Sequence, residues 1–377
     1  NRPRKRLGYK TPNEVFFGQS YTVALTTWFQ VIEVMSRISY ISFAIILVLL
    51  SCNHQSERTI DIAFYFWRSV FNLTPEEQKF LNHSQANKLY LKYFDIDWHG
   101  LKEEPTVVAP IKFMDKIPEN IPIIPTIFIT NRTLLNINEQ YIENLAEVII
   151  KKTIDISQNE NLRFNEIQID CDWSPKSRKK YFMLLELLKS NFGVKSKLIS
   201  VTLRLHQYKY PTITGVPPVD KCMLMLYNVG DINNIETNNS ILDIKTVKKY
   251  LTDKNYPLDI DIALPIFSWG VLYRLDEVVG LINNLSSEDL KNKIRFKHIN
   301  GNYFSIIQNH YLNGVYVYNG DIIRIEEIQH SKLLELSKLI SHHIPNNKIT
   351  IAFFSLTKNN LKGFNHEKIN EIVSIFK

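Results

Sequence analysis

The sequence predicts an α/β protein, a (β/α)8 TIM-type barrel over residues 60–377. Runs rich in β-branched and aromatic residues alternate with amphipathic helical segments, the pattern of parallel strands joined by crossover helices. Eight such alternations in about 300 residues match the size of this barrel. A doubly wound open sheet is the alternative. It usually has a Gly-rich phosphate loop after its first strand, and none follows the first run here.

The eight runs lie in order along the chain, and the signals that end helices lie between them. The runs are 60–68, 88–94, 123–130, 165–172, 198–207, 221–228, 260–268 and 348–355. Thr74 followed by Pro75 and two acids predicts the start of a helix. A second helix follows Ser174 and Pro175 and ends at Gly193. The Tyr- and Asn-rich region 276–324 predicts an irregular insert, helical in character, between strands seven and eight.

Composition indicates a globular chain. Hydrophobic residues make up 45% of the 377 residues and aromatic residues 12%, with only 12 Gly and 15 Pro. The formal charge of +7 is concentrated at the start, and a net +3 remains from Cys52 onward. So small an excess is typical of an ordinary solvated surface, so we expect no nucleic-acid partner for the main domain. The three cysteines lack disulfide-framework and zinc spacing, and we expect neither metal nor cofactor.

The opening residues are basic, with no apolar period. Residues 1–12, NRPRKRLGYKTP, together with Glu14 resemble the C-terminal tail of DDE-type insertion-sequence transposases. The resemblance covers only residues 1–20 and includes none of the catalytic carboxylates, so it implies no transposase activity. We interpret residues 1–34 as non-native sequence translated from an upstream mobile element. A basic tail without that origin is the alternative.

Residues 35–51 have the three parts of a secretion signal: a cationic start at Arg37, an apolar run over 41–50, and small residues before a cysteine. The tetrapeptide LLSC ending at Cys52 resembles the lipobox of bacterial lipoproteins, whose cysteine is acylated, with palmitate among the expected chains. The resemblance implies a lipid-anchored protein of the cell envelope with residues 52–59 as a tether. The alternative is an internal apolar helix that ends at a buried cysteine.

Strand four carries the most informative pattern. Its period of two puts Gln168, Asp170 and Asp172 on one face and Cys171 on the other. Two carboxylates on the inner face of a barrel predict a catalytic centre, and one pKa should be raised unless a cation intervenes. On strand five Thr202, Arg204 and His206 share a face, so we expect Arg204 to pair with Asp170. A purely structural ion pair is the alternative.

Active sites of such barrels lie at the carboxyl ends of the strands. Polar and aromatic residues cluster at the predicted strand ends and are our candidates for substrate binding: Arg68, Asp97, His99, Trp173, Arg204, His206, Tyr227, Asn228, Trp269 and Tyr273. Trp67 and Trp98 also lie at strand ends. Flat aromatic faces there are typical of a sugar-binding cleft, although single tryptophans often pack under loops.

Three of these segments resemble family 18 glycoside hydrolases. They are Asp170-Cys171-Asp172 on strand four, MLMLYN over 223–228 on strand six, and ALPIFSWG over 263–270 on strand seven. The resemblance implies that Asp170 and Asp172 match the two inner aspartates of the DxxDxDxE motif, and that Tyr227 matches the tyrosine that positions the substrate amide. Asn228 replaces an aspartate.

Two positions depart from the family motif. Ile167 replaces its first aspartate, and Ser174 occupies the place of the catalytic glutamate. A serine cannot protonate a glycosidic oxygen, so either Asp172, with Asp170, replaces the acid or the barrel does not cleave. From Cys52 the chain also resembles uncharacterised Bacteroidetes-type lipoproteins with glycosidase-like barrels. We therefore predict a lipoprotein that binds or hydrolyses a glycan; a non-catalytic glycan-binding or structural lipoprotein is the alternative.

Overall fold

Eight parallel strands close into a barrel in the computed structural model, which describes residues 28, 31–33, 35, 58–118, 120–193, 197–251 and 256–377. The chain divides into two units between Glu57 and Arg58. In the first, the described residues are helical, and Cys52 and the predicted signal segment after Met35 lie outside the described residues. No described helix is both long and apolar enough to cross a membrane.

The strands of the second unit are β1 (Thr59–Phe66), β2 (Val70–Phe71), β3 (Lys88–His99), β4 (Glu104–Val108), β5 (Lys112–Phe113), β6 (Ile123–Ile129), β7 (Glu166–Asp170), β8 (Leu198–Arg204), β9 (Lys221–Met225), β10 (Asp259–Pro265), β11 (Trp269–Arg274), β12 (Glu277–Asn283), β13 (Phe296–Asn300), β14 (Tyr303–Ile306), β15 (His310–Leu312), β16 (Val315–Val317), β17 (Ile322–Glu326) and β18 (Lys348–Phe354). The helices are α1 (Pro75–His83), α2 (Asn131–Asn136), α3 (Ile142–Asn159), α4 (Arg178–Gly193), α5 (Leu205–Lys209), α6 (Pro211–Thr214), α7 (Ile244–Tyr250), α8 (His330–Ser341), α9 (Lys358–Gly363) and α10 (His366–Ser374). Two 3-10 turns cover Glu139–Tyr141 and Ser287–Leu290.

The barrel order is β1-β18-β10-β9-β8-β7-β6-β3, and β3 pairs again with β1. Each predicted run overlaps one of these strands, so the predicted fold class is confirmed. The local signals also hold. Thr74 and Glu77 form a reciprocal capping box at the start of α1, and the described part of α4 runs to Gly193.

The insert after β10 differs from its prediction. The expected helical character was wrong, because β12, β11, β17, β14 and β13 form an antiparallel sheet and β15 and β16 form a separate hairpin. Aromatic and β-branched residues alternate here with a period of two, which favours strands. Turn residues with positive φ, Asn313 (φ 45°), Gly314 (φ 85°) and Gly320 (φ 92°), suit tight connections between strands.

The interior of the barrel is polar at its amino-terminal end. Lys221 Nζ lies 2.8 Å from a Glu166 carboxylate oxygen and 3.0 Å from one of Asp261. Lys88 contacts Asp61 at 2.6 Å. A separate apolar core fills the space between the strands and the surrounding helices. The charged layer therefore fills the interior of the barrel at its amino-terminal end. Other side chains occupy the middle and the carboxyl-terminal end of the barrel.

Candidate functional site

Asp170 lies at the carboxyl end of β7 and points into the barrel. Its side chain is buried, and Thr202 Oγ1 donates a hydrogen bond of 2.6 Å to Asp170 Oδ1. Burial, and next the negative charge of Asp172, raise the pKa of Asp170 from 3.8 to about 6. As predicted from the shared face of strand four, one carboxyl group has a raised pKa. Asp170 therefore carries a proton in mildly acidic solution.

Asp172 pairs with Arg204. Arg204 Nε and Nη2 donate to the two carboxylate oxygens at 2.5 and 2.8 Å. The expected pairing of Arg204 with Asp170 was wrong because of the strand register. Gln168 lies opposite Ser200, which puts Thr202 beside Asp170 and Arg204 one step further along, level with Asp172. Both carboxylate oxygens of Asp172 therefore already accept a charge-assisted hydrogen bond from one guanidinium.

Ser174 has a local structural role. Its carbonyl accepts from Ser177 N at 3.0 Å and from Arg178 N at 2.9 Å, at the entry to α4. Its backbone N–H donates to Ser177 Oγ at 2.9 Å, and Ser177 Oγ donates in turn to Asn131 Oδ1 at 2.5 Å. Position 174 therefore supplies no carboxyl group to the opening.

Aromatic rings form one side of the opening. Phe354 lies at the centre, with ring centroids 5.5 Å from both Tyr65 and Trp67, 5.2 Å from Tyr227 and 5.7 Å from Phe267. The rings come from β1, from the chain just after β9 and β10, and from the end of β18. They give the opening an apolar wall beside the carboxylates of β7.

Several buried polar atoms in this part of the barrel have no partner among the described residues. They are the Tyr227 hydroxyl, Gln168 Nε2 and Asp95 Oδ1. Gln168 uses its other amide atom, Oε1, to accept from Tyr65 at 2.7 Å. Asp95 uses its other oxygen to accept from Lys92 at 3.0 Å. Buried polar groups are normally satisfied, so these atoms mark a place for water or a ligand.

Two of the candidate tryptophans lie outside the barrel. Trp173 is buried between the barrel and α4, where its ring stacks on Tyr181 at 5.1 Å and its Nε1 donates to Thr214 O at 3.1 Å. Trp98 packs against the same apolar core between the strands and the surrounding helices, the outer core. The alternation of side chains along a strand predicts this outward placement, because Trp173 and Trp98 each follow an inward-facing aspartate by one residue.

Other candidates also lie away from the opening. Arg68 donates to Glu77 at 2.9 Å and so supports the start of α1. Asp97 and His99 lie where β3 extends beyond the barrel and pairs with β4. Asp97 accepts from Thr130 and Arg132, and its pKa is lowered to about 2, chiefly by the Arg132 hydrogen bond.

The remaining candidates lie around the rim. His206 is exposed on α5, and partial desolvation of its ring lowers its pKa. Asn228 directly follows Tyr227 with a φ of 55°. Trp269 and Tyr273 are on β11, in the insert, and pack with the aromatic cluster of the barrel interior.

The sequence reasoning missed Tyr65, Lys92, Asp95 and Phe354. The signal was present for Tyr65, which shares a strand face with Trp67, and for Phe354, which ends the last strand. Lys92 and Asp95 were harder to assign, because the pairing of β3 with β6 shifts between Lys92 and Phe94 and breaks the alternation there.

A cavity of about 1160 Å³ opens at the other end of the barrel. Its lining includes Lys221, Glu166 and Asp261, which already pair with one another. None of the unpartnered buried atoms belongs to a residue of this lining. The polar atoms that lack partners therefore favour the carboxyl-terminal opening as the candidate site.

Solved structures show which class of protein has this fold. The spore cortex-lytic enzyme SleL of Bacillus megaterium matches with a TM-score of 0.51 at 14% identity, covering 86% of this chain and 76% of the enzyme. The family 18 chitinase ChiB of Flavobacterium johnsoniae matches with a TM-score of 0.50 at 11% identity, covering 85% and 94%. No protein-family model and no curated protein sequence matches the chain. The domain therefore has the barrel fold of family 18 glycoside hydrolases.

Proposed function

We propose that the domain binds a glycan at the carboxyl-terminal opening of its barrel and that it does so without cleaving it. The observation that carries the proposal is the Tyr227 hydroxyl, which is buried without a partner beside Asp170, Arg204 and the aromatic wall. A sugar offers both hydroxyl groups for such an atom and C–H faces for the rings.

The resemblance to family 18 indicates which glycan to test. Tyr227 matches the tyrosine that positions the substrate amide, so an N-acetylated sugar is the expected ligand. The names of the similar structures point to two sources, the chitin of chitinases and the spore cortex of the cortex-lytic enzyme. Chitin oligosaccharides and peptidoglycan fragments are therefore the first probes.

The absence of cleavage follows from two side chains. Ser174 stands where the family has its acid, and its bonds go to the entry of α4. Asp172, the substitute acid considered from the sequence, gives both oxygens to Arg204. A general acid needs a carboxyl group that is free to donate a proton to the leaving oxygen. Ser174 has no carboxyl group, and both oxygens of Asp172 are occupied by Arg204.

Hydrolysis is the second candidate, because Asp170 has a raised pKa of about 6. A carboxyl group with that pKa is partly protonated near neutral pH, as a general acid requires. In this version Asp170 donates the proton to the leaving oxygen, and activity falls as pH rises through about 6.

Binding is tested with Tyr227→Phe, using Tyr181→Phe as a matched control. Both hydroxyls are buried and unpartnered, but Tyr181 lies in the outer core against Trp173. Titration calorimetry with chitin oligosaccharides should show an affinity loss of about fivefold to tenfold for Tyr227→Phe alone. Equal affinity of both variants would contradict the proposal.

Cleavage is tested on the same ligands by mass spectrometry between pH 5 and 7. The proposal expects intact ligand with the wild-type protein. Products that disappear with Asp170→Asn would support the second candidate instead. Ser174→Glu tests in addition whether a carboxyl group at the family's acid position restores cleavage.

We also propose that Cys52 is acylated and anchors the domain to a membrane of the cell envelope. The support is the order of cationic, apolar and small residues that ends at Cys52. Radiolabelled palmitate should enter the wild type but not Cys52→Ala, and the variant should leave the membrane fraction; label retained by the variant would overturn the proposal.

A further inference from the structure

We infer that Glu326 and Arg324, two residues of the insert, are positioning residues of the candidate glycan site. They hold the β9–α7 loop, residues 226–243, and the indole of Trp269 in place. The inference rests on the proposed function in one respect, that the loop beginning beside Tyr227 borders the ligand.

The two residues form an ion pair inside the protein. Arg324 Nε donates to Glu326 Oε1 at 2.7 Å, and both side chains are 0% exposed. Removing two charges from water is costly, and the attraction between them compensates only when the remaining donors and acceptors are also satisfied. The partners of those remaining atoms therefore indicate what the pair does.

The partners of Glu326 beyond Arg324 lie in the loop and on β11. Glu326 Oε2 accepts from Ser240 N at 2.9 Å, from Ser240 Oγ at 2.6 Å and from Trp269 Nε1 at 2.7 Å. One carboxylate oxygen thus fixes both the loop and the orientation of the Trp269 ring, which lies 5.3 Å from Phe267.

The remaining donors of Arg324 also reach the loop. Arg324 Nη1 donates to Asn234 O at 2.9 Å, and Nη2 donates to Ile232 O at 3.2 Å. Two more side chains of the insert donate to the loop: Tyr273 Oη shares the Ile232 carbonyl with Arg324, and Asn302 Nδ2 binds Asn238 O at 2.8 Å. These loop carbonyls have no regular strand or helix to satisfy them, so the insert supplies their partners.

Backbone hydrogen bonds within the loop connect the Glu326 contact to the candidate site. Ser240, which Glu326 binds, accepts through its carbonyl from Gly230 N at 3.0 Å, and Ile241 O accepts from Asn228 N at 2.8 Å. These bonds join the two ends of the loop next to Tyr227. Loss of the Glu326 contact should therefore loosen the backbone that follows Tyr227.

A second ion pair of the insert provides a matched control. Arg274 and Asp321 pair at 2.9 Å, and the hydrogen bonds of their side chains go to each other and to Tyr318 N, outside the loop. Asp321→Asn therefore weakens the insert without touching the loop. Ser240→Ala is a milder second variant, because it removes one loop bond to Glu326 and leaves the ion pair intact.

The experiment measures hydrogen–deuterium exchange of the loop amides and glycan affinity for wild type, Glu326→Gln, Ser240→Ala and Asp321→Asn. Glu326→Gln should speed exchange over residues 228–242 about tenfold and weaken chitin-oligosaccharide binding about tenfold, Ser240→Ala should do so less, and Asp321→Asn should do neither. Unchanged loop exchange in Glu326→Gln, or equal effects of Glu326→Gln and Asp321→Asn, would overturn the inference. If wild type binds no glycan, the proposed function fails, and the exchange data alone decide whether the ion pair holds the loop.

Discussion

Arg204 donates one hydrogen bond to each carboxylate oxygen of Asp172, across neighbouring strands of the barrel. The paired geometry needs the planar fork of a guanidinium, which a lysine ammonium cannot reproduce.

Replacing Arg204 with Met should lower the free energy of unfolding by about 1–2 kcal/mol, because Asp172 loses both donors while keeping access to water. Urea denaturation measures this change. Arg204→Lys should lie between wild type and Arg204→Met. Full stability in Arg204→Lys would show that charge alone, and not the bidentate geometry, matters.

Asp170 should make stability depend on pH. Its pKa in the folded state, about 6, lies above the unfolded value of 3.8, so the folded protein binds the proton more tightly. The stability from this group is therefore fully present below pH 4, and is lost as pH rises to about 6, by up to about 3 kcal/mol.

The measurement is urea denaturation between pH 4 and 7.5 for wild type and Asp170→Asn. The wild type should lose stability relative to the variant as pH rises through that window, because the amide cannot ionise. A constant difference between the two proteins across the range would contradict the raised pKa.

Truncation to alanine should mainly lower stability at Trp173 and mainly weaken glycan binding at Trp67. Trp173→Ala should cost about 4 kcal/mol of stability, because a fully buried ring leaves a cavity beside Tyr181. Trp67→Ala should cost less stability and weaken glycan binding. Denaturation and calorimetry on both variants check this, and a binding loss confined to Trp173→Ala would reverse the assignment of the two rings.

Lys221 should be essential to the charged layer of the barrel. Lys221→Met leaves Glu166 and Asp261 without their shared cation and should cost about 3 kcal/mol, near the lower end for a broken buried pair. Lys348 at the same end is the control, since its ammonium lies 3.8 Å from Asp61 and its side chain is 72% exposed. Lys348→Met should change stability by less than about 1 kcal/mol. Equal losses from both variants would rule out a special role for the buried pair.

The sequence predicted the eight barrel strands and the inward face of β7, because both depend on local patterns. A run of β-branched residues, a cap such as Thr74, and a period of two can each be recognised within a few residues of chain. The same period also predicts Trp173 to lie outside the barrel, although its position at a strand end suggested a sugar platform.

Other features required the tertiary structure. The register between β7 and β8 decides that Arg204 pairs with Asp172 and not with Asp170. The hydrogen bond from Ser240 to Glu326 joins residues 86 positions apart in the sequence. The sequence by itself thus determined the strands and the faces of their side chains. Only the tertiary structure decided which side chains meet, because register and long-range packing depend on the closure of the whole barrel.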